Sequence, residues 1–382
     1  MANVLTDLAA DIYKAADIVG REAVGFIPSV TINSGTEQAA VGTTVRSHFT
    51  RQATVGNLAP SMTIPEGDDQ TVDNKSMTLT KQRGVAIPWT GEDIRLVNGG
   101  AGYETIYGDQ IAQAMRALSN EIEADLATEA YTNASRAVGT AGTVPFASNF
   151  DLVPELRQIL LDNGMPVTDG RTSLVMSTRA GTNMRQLSNL QKVNEAGSAS
   201  MLRQGTLEIL SGMMMKESAQ VQFHTKGTAT GLDSNGGSAI GATSIALDGG
   251  DGGSLIAGDV VSFASDSENY VINTGFTAAA GTAVIGGPGI RETVATAAEL
   301  VIGNNYTANV ALHQAAVELA MRAPAKPQGG DAAVDVMLVQ DPHSGLVFEI
   351  SAYKGFNKTM IYVAAVWGYK AWKPDGIALL LG

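Results

Sequence analysis

The sequence predicts an α+β fold whose parts follow one another as an N-terminal arm, an extended β ribbon, one long helix, an α/β unit and an all-β unit inserted into that unit. Three observations carry the prediction. Between 103 and 138, Ile111, Met115, Leu118, Ile122, Leu126 and Ala130 recur at steps of four, three, four, four and four, which keeps one apolar stripe on a helix. From Val45 to Trp89 the apolar period falls to two, the period of a strand. At Gly227 the composition turns abruptly glycine-rich and acidic, and it turns back at Gly303.

The bulk properties bound what such a chain can do. At 382 residues it exceeds one ordinary core, and about 150 residues per domain predicts two or three units. It carries 25 basic against 38 acidic residues, a net charge of −13, which excludes broad gripping of nucleic-acid phosphates as its main task. With no cysteine there is no disulfide, thiolate metal site or cysteine nucleophile. Asp7 and Asp11 stand where a signal peptide needs a basic start and an apolar run, and no window reaches membrane-spanning length, so the expectation is a chain that begins in the cytosol.

In chain order, Val4, Leu8, Ile12, Ala15 and Val19 share one helical face over 3–24, and Pro28 ends the pattern. Lys14 and Arg21 are balanced by Asp7, Asp11, Asp17 and Glu22, which points this amphipathic arm at protein rather than at a membrane. In the ribbon, Val45, Ser47 and Phe49 go out, and Met77, Leu79, Val85, Ile87 and Trp89 come back around a polar, proline-flanked tip at 57–74. A two-stranded ribbon is marginal in water, so it needs either its own domain or another copy of the chain to lie on. The long helix of 103–138, bracketed by Gly102 and Gly139, would be roughly 50 Å long, a spine. Its polar face carries Glu121, Glu123, Asp125 and Glu129 with no matching row of lysines.

After the spine, 149–163 reads as a helix, 173–176 as a strand and 178–192 as a second helix, an α/β texture. Residues 194–206 read as a loop, and Met213, Met214 and Met215 as adaptable packing. The insertion 227–303 holds 16 of the 43 glycines, eight acids (Asp233, Asp248, Asp251, Asp259, Asp266, Glu268, Glu292, Glu299) and one base, Arg291. Its runs at 244–247, 259–263, 270–272 and 282–285 have the spacing of a small all-β module. Beyond it, 305–322 reads as a strand followed by a helix. A hairpin then pairs 334–339 with 346–350, and strands at 360–372 and 377–381 close the chain.

No constellation of catalytic, cofactor-binding or metal-ligating residues emerges. His48, His224, His313 and His343 are scattered and none has metal spacing. GxSxG, GxxxxGK[ST] and GxGxxG are absent, the run at 98–102 lacking both the strand before it and the final glycine. Asp248 and Asp251 among glycines faintly resemble calcium-binding repeats, but they occur once where such repeats stack. Asp341 and His343 at a hairpin tip have no partner nucleophile.

Three segments carry a family resemblance: LTKQRGVAIPWTGEDI (79–94), NVALHQAAVELAMRAP (309–324) and VWGYKAWKPDGIALLLG (366–382). With the order of the parts, they resemble the major capsid protein of tailed double-stranded DNA bacteriophages, of the Hong Kong 97 fold. The branch is the one with an inserted β domain represented by the coat protein of Salmonella phage P twenty-two. In that family they look like the returning strand of the extended loop, the helix of the axial domain and the closing strands of the peripheral domain. The resemblance implies these divisions: arm 1–44, ribbon loop 45–90, peripheral domain with spine 91–148, axial domain 149–226 and 304–355, inserted domain 227–303, closing strands 356–382. It implies no enzyme and no cofactor, but a homo-oligomer of hexamers and pentamers that self-assembles into an icosahedral virion shell in the host cytoplasm, without membrane. A scaffolding protein, a portal and packaged double-stranded DNA bound without sequence specificity are its implied partners. The lysine and asparagine that cross-link some members are not matched here. An encapsulin-type bacterial compartment shares the fold but is less expected to carry the acidic insertion, and a secreted β-rich binding protein would leave the spine unexplained.

Overall fold

The computed structural model describes residues 20–49, 60, 62, 73–97, 103–192, 209–264 and 266–382. Most of the amphipathic arm, the ribbon tip, the glycine run at 98–102 and the loop at 194–206 therefore lie outside the described residues. From Gly20 a strap leads into a short 3-10 turn, Ile27–Ser29, and strand β1 (Thr31–Ala39). β2 (Thr44–Phe49) and β3 (Asp73–Thr78) then pair antiparallel from Thr44 opposite Thr78 to Phe49 opposite Asp73, the base of the expected ribbon.

The ribbon ends there. β4 (Lys81–Thr90), expected to be its returning strand, leaves it to pair with a strand near the C-terminus, because Ile87 and Trp89 are buried against the spine and not against β2. Helix α1 (Gly91–Val97) leads to the spine, α2 (Tyr103–Thr132). The spine is shorter than the sequence predicts. The Asn133 side chain donates to the Glu129 carbonyl at 2.9 Å, capping the last turn, and residues beyond it form β5 (Arg136–Val138). At 30 residues the helix is about 45 Å long.

α3 (Leu152–Asp162), β6 (Thr172–Ser177), α4 (Thr178–Gln186) and α5 (Ser188–Gln191) follow. The helix expected over 178–192 is broken at Leu187, whose extended backbone lets its side chain enter the core. β7 (Ile209–Leu210), β8 (Met213–Ser218) and β9 (Phe223–His224) precede the insertion. The insertion builds β10 (Asp233–Ser234), β11 (Ser244–Asp248), β12 (Ser254–Leu255), β13 (Val260–Phe263), β14 (Asn269–Thr274), β15 (Phe276–Thr277), β16 (Gly281–Ile285) and β17 (Leu300–Ile302). They pack around an apolar core of their own that includes Leu232, Ile245, Val261, Phe263 and Ile285.

The chain returns as β18 (Tyr306–His313), β19 (Val317–Pro324), β20 (Ala333–Gln340), β21 (Val347–Gly355), β22 (Lys358–Ala371) and β23 (Ile377–Leu381). Residues 309–324, expected to contain a helix, are thus two strands. The alanines permit a helix, but β18 is buried on both faces. Val310 and Leu312 enter the core around the spine, and Ala311 enters the core under α3. Only a strand in mid-sheet can present successive residues to opposite layers.

Two large sheets result. In one, β22 pairs with β4 along one side and with β21 and β19 along the other, β20 and β1 forming the outer strands. In the other, the central order is β14, β5, β23, β18, β6, β8. The two final strands, expected to close one unit, therefore part company: β22 is the axis of the first sheet and β23 lies in the middle of the second. The spine packs against both, and one core holds Trp89, Phe348, Val363 and Trp367 from the first sheet with Val310 and Leu379 from the second. β14 pairs with β5, Tyr270 opposite Arg136, so the sheet of the insertion runs on into the main one.

Candidate assembly surface

The expected polar face of the spine is an anchoring face. Glu123, assigned to it, is fully buried, and its carboxylate accepts from the backbone N–H of Gly25, Phe26 and Ile27 at 2.6, 2.7 and 2.8 Å and from the Ser218 hydroxyl at 2.8 Å. Charge-assisted bonds of this kind are worth more than neutral ones, and four of them satisfy a carboxylate that would otherwise be costly to bury. Lys216, beside it, donates to the Pro28 carbonyl and the Ser29 hydroxyl; burial pushes its pKa down, and the Glu123 charge opposes that shift.

Around this point the strap from Arg21 to Ser29 ties three parts of the molecule together. Arg21 forks onto Asp341 in the β20–β21 turn, at 2.8 and 3.2 Å. Glu22 meets Arg116 on the spine, whose hydrogen bond, with that of Asn120, holds the carboxyl down at about 2. His343 bonds the Glu22 carbonyl at 2.9 Å, and Ala219 donates to the Ala23 carbonyl. Asp341 and His343 thus fasten the strap, and no dyad exists between them. Asp341 accepts from the Ser344 hydroxyl and backbone, which outweighs burial and lowers its pKa.

The other spine acids hold the first sheet. Asp125 accepts from Lys81 Nζ at 2.7 Å and from the Trp367 indole at 3.0 Å, Glu121 lies 3.3 Å from Lys81 and Arg83, and Glu129 accepts from the Ala371 N–H at 2.9 Å. Burial pushes the Glu129 carboxyl up. The cations missing from the spine itself are supplied for Glu121 and Asp125 by Lys81 and Arg83 of the neighbouring strand β4. One sequence signal was available for Glu123: Ser119, Glu123 and Ala127, at steps of four beside the apolar stripe, are all buried, a small-residue groove on which backbone can lie.

The root of the insertion is equally fixed. β9 pairs with β18, His224 opposite Tyr306, so the incoming and outgoing strands are neighbours. His224 Nε2 sits 2.9 Å from Asp259, whose buried carboxylate also accepts from the N–H of Gly227 and Ile256. Arg136 of β5, itself buried, reaches Glu268 at 2.9 Å. Neither Arg136 nor the His224–Asp259 pair stands out in the sequence, because each is made by residues far apart in it.

The remaining sequence candidates are structural. His313 meets Asp169 at 2.9 Å, which lowers the Asp169 pKa, and the His48 side chain lies outside the described residues. Asp248 stands opposite Asp233 in a strand pair and Asp251 accepts from Thr230. Among the described residues no group of acids and histidines could hold a metal ion. Met213 and Met215 fill the core under α4.

What the fold leaves open is a face of the first sheet. The side of β22 and β19 away from the spine is covered at one end by the ribbon base, where Ala39, Met77 and Leu79 pack on Ala320 and Val366. At the other end Val336, Leu338 and Val347 are exposed beside a cleft of about 100 Å³ lined by Ser34, Gly35, Met321 and Ala323. Phe356, in the β21–β22 turn, is almost fully exposed. Apolar residues exposed together at one end of a sheet mark a surface for association.

No protein-family model matches the chain, and no curated protein does. Among solved structures, the chain is similar to a chain in the capsid structure of cyanophage P-SCSP1u, over 100% of its own length and 95% of that chain, at a TM-score of 0.52 and 11% identity. A solved chain of Mycobacterium phage Che8 is similar over 99% of this chain and 98% of that one, at a TM-score of 0.49 and 13% identity. A chain in the capsid of a native GTA particle is similar over 99% and 98%, at a TM-score of 0.47 and 11% identity. The likeness to the cyanophage chain places the protein in the α+β capsid fold, the Hong Kong 97 type expected from the sequence.

Proposed function

We propose that the protein is the major subunit of an icosahedral capsid, assembling in many copies, as hexamers and pentamers, around a double-stranded DNA genome. The observation that carries this reading is the shared fold with the cyanophage capsid chain over 100% of this chain and 95% of that one. The physical features agree with it. A strap binds the body together, the base of a ribbon lies on the first sheet, a stiff helix joins two sheets, and one end of the first sheet offers apolar side chains to a partner. In this reading α1, α2 and the first sheet form the peripheral unit, and α3, α4 and the main sheet the axial one. The insertion 227–303 stands on the outer surface, since eight acids and one base pressed against packaged DNA would be repelled. The subunit acts by assembly rather than catalysis, with a scaffolding protein and a portal as partners, in the host cytoplasm and then in the virion. Electron microscopy of the purified protein tests the proposal: closed, uniform particles are expected, alone or with the co-expressed scaffold. A protein that stays monomeric under both conditions would refute it.

A further inference from the structure

The outer edge of β20 ends the first sheet with backbone groups that no described strand pairs. Its sequence, AVDVMLVQ, is apolar on both faces, with Val334, Val336, Met337 and Leu338 exposed by 59, 41, 50 and 48%. An edge of this kind is a template for another strand, and proteins that keep such edges single guard them with lysine, proline or a bulge. Here one end is guarded, by Asp335 and a register shift between Ala333 and Asp335, while Val336 to Val339 carry no guard. Charge favours the same place. The chain is at −13, yet Asp335 is the one charged residue of Ala333–Gln340, so two copies meet along this strand with little charge to repel them.

We propose that β20 pairs edge to edge with β20 of a second copy of this chain, antiparallel across a two-fold axis, so that one sheet runs through both subunits. The second copy is supplied by the shell reading, on which this inference rests. A two-fold antiparallel ladder must centre on one residue facing its own equivalent. Centred on Met337, it sets Met337 against Met337, Val336 against Leu338 and Asp335 against Val339. Centred on Asp335, it would set two carboxylates face to face, which the charge forbids.

The absence of cysteine makes the test clean. Facing residues of an antiparallel pair lie about 4.5 to 5.5 Å apart at Cα, within the range a disulfide spans. Met337→Cys particles, mildly oxidised, are expected to yield disulfide-linked dimers, and Val347→Cys, on the inner strand β21, none. Val336→Lys with Leu338→Lys is expected to leave the subunit's thermal unfolding unchanged and to abolish particles. Particles of Met337→Cys that give no dimers, or normal particles from a folded double-lysine variant, would overturn the pairing and leave the shell reading standing. Should the lysine variant not fold, the Met337→Cys cross-link decides alone. No particles from the unaltered chain would instead strike at the shell reading. In that case Met337→Cys dimers at high concentration would support the pairing, and their absence would overturn it.

Discussion

The acids of the spine and the acids of the insertion look alike in the sequence and do opposite work. Glu121, Glu123, Asp125 and Glu129 each accept from a named donor of the strap, of β4 or of β22, and together they fix the helix between its neighbours. In the insertion, Glu292 and Glu299 are exposed and Asp251, also exposed, accepts from the Thr230 hydroxyl, whereas Asp259, Asp266 and Glu268, close to its root, are built into the structure. A carboxylate becomes structural where backbone donors or a cation are brought to it, and the tertiary fold alone does that.

That contrast can be broken first at Glu123. Glu123→Ala removes one acceptor and strands three backbone N–H groups and a hydroxyl, and the unassembled subunit is expected to lose about 3 kcal/mol. Urea unfolding measures it, and a loss below about 1 kcal/mol would mean the strap is held by other contacts. Arg136→Ala comes next, at about 2 kcal/mol, since the buried guanidinium joins β5 to Glu268, the Asn163 side chain and the Ile159 carbonyl. Its loss should be read both in the unfolding midpoint and in faster proteolysis within 227–303.

A smaller effect belongs to pH. Glu22 is held at about 2, below its ordinary 4.5, chiefly by the Arg116 hydrogen bond. A depressed carboxylate contributes stability that is full above pH 4.5 and lost as pH falls through about 2. Arg116→Gln should therefore flatten the acid limb of the stability curve between those values, modestly because the pair lies near the surface. An unchanged limb would remove Glu22 from the strap's fastening. Smallest of all, Glu292→Gln with Glu299→Gln should shift stability by less than about 0.5 kcal/mol, because both side chains are exposed. A loss comparable to that of Glu123→Ala would erase the distinction between the two regions.

Much of the fold was legible because its signals are periodic and local. The spine stripe, the ribbon base, β6 and the hairpin of β20 and β21 all follow from spacing within a single segment. Reading 309–324 as containing a helix failed because its alanines fit either state, and burial of β18 between two layers decided the matter. β4 was read into the ribbon because a period of two names a strand without naming its neighbour. Glu123 was placed on a solvated face because amphipathic reasoning knows only apolar and polar sides. A helix that lies between two sheets and under a strap keeps only part of its polar side for solvent, and Glu123 falls on the part the strap covers.

By itself the sequence determined most of the segments that become helices and strands, 309–324 excepted, where the acidic glycine-rich composition begins and ends, and that no thiol is present. These depend on neighbours a few residues away, where steric and hydrophobic periodicity act. The tertiary structure alone decided that β22 and β23 belong to different sheets, that the insertion continues the main sheet through β14 and β5, and that the strap closes on Glu123. These pairings join residues far apart in the chain, 242 positions for Ser135 and Ile377 and 286 for Lys81 and Trp367. Backbone hydrogen bonds form with any partner that geometry delivers, so no side chain in the sequence announces them.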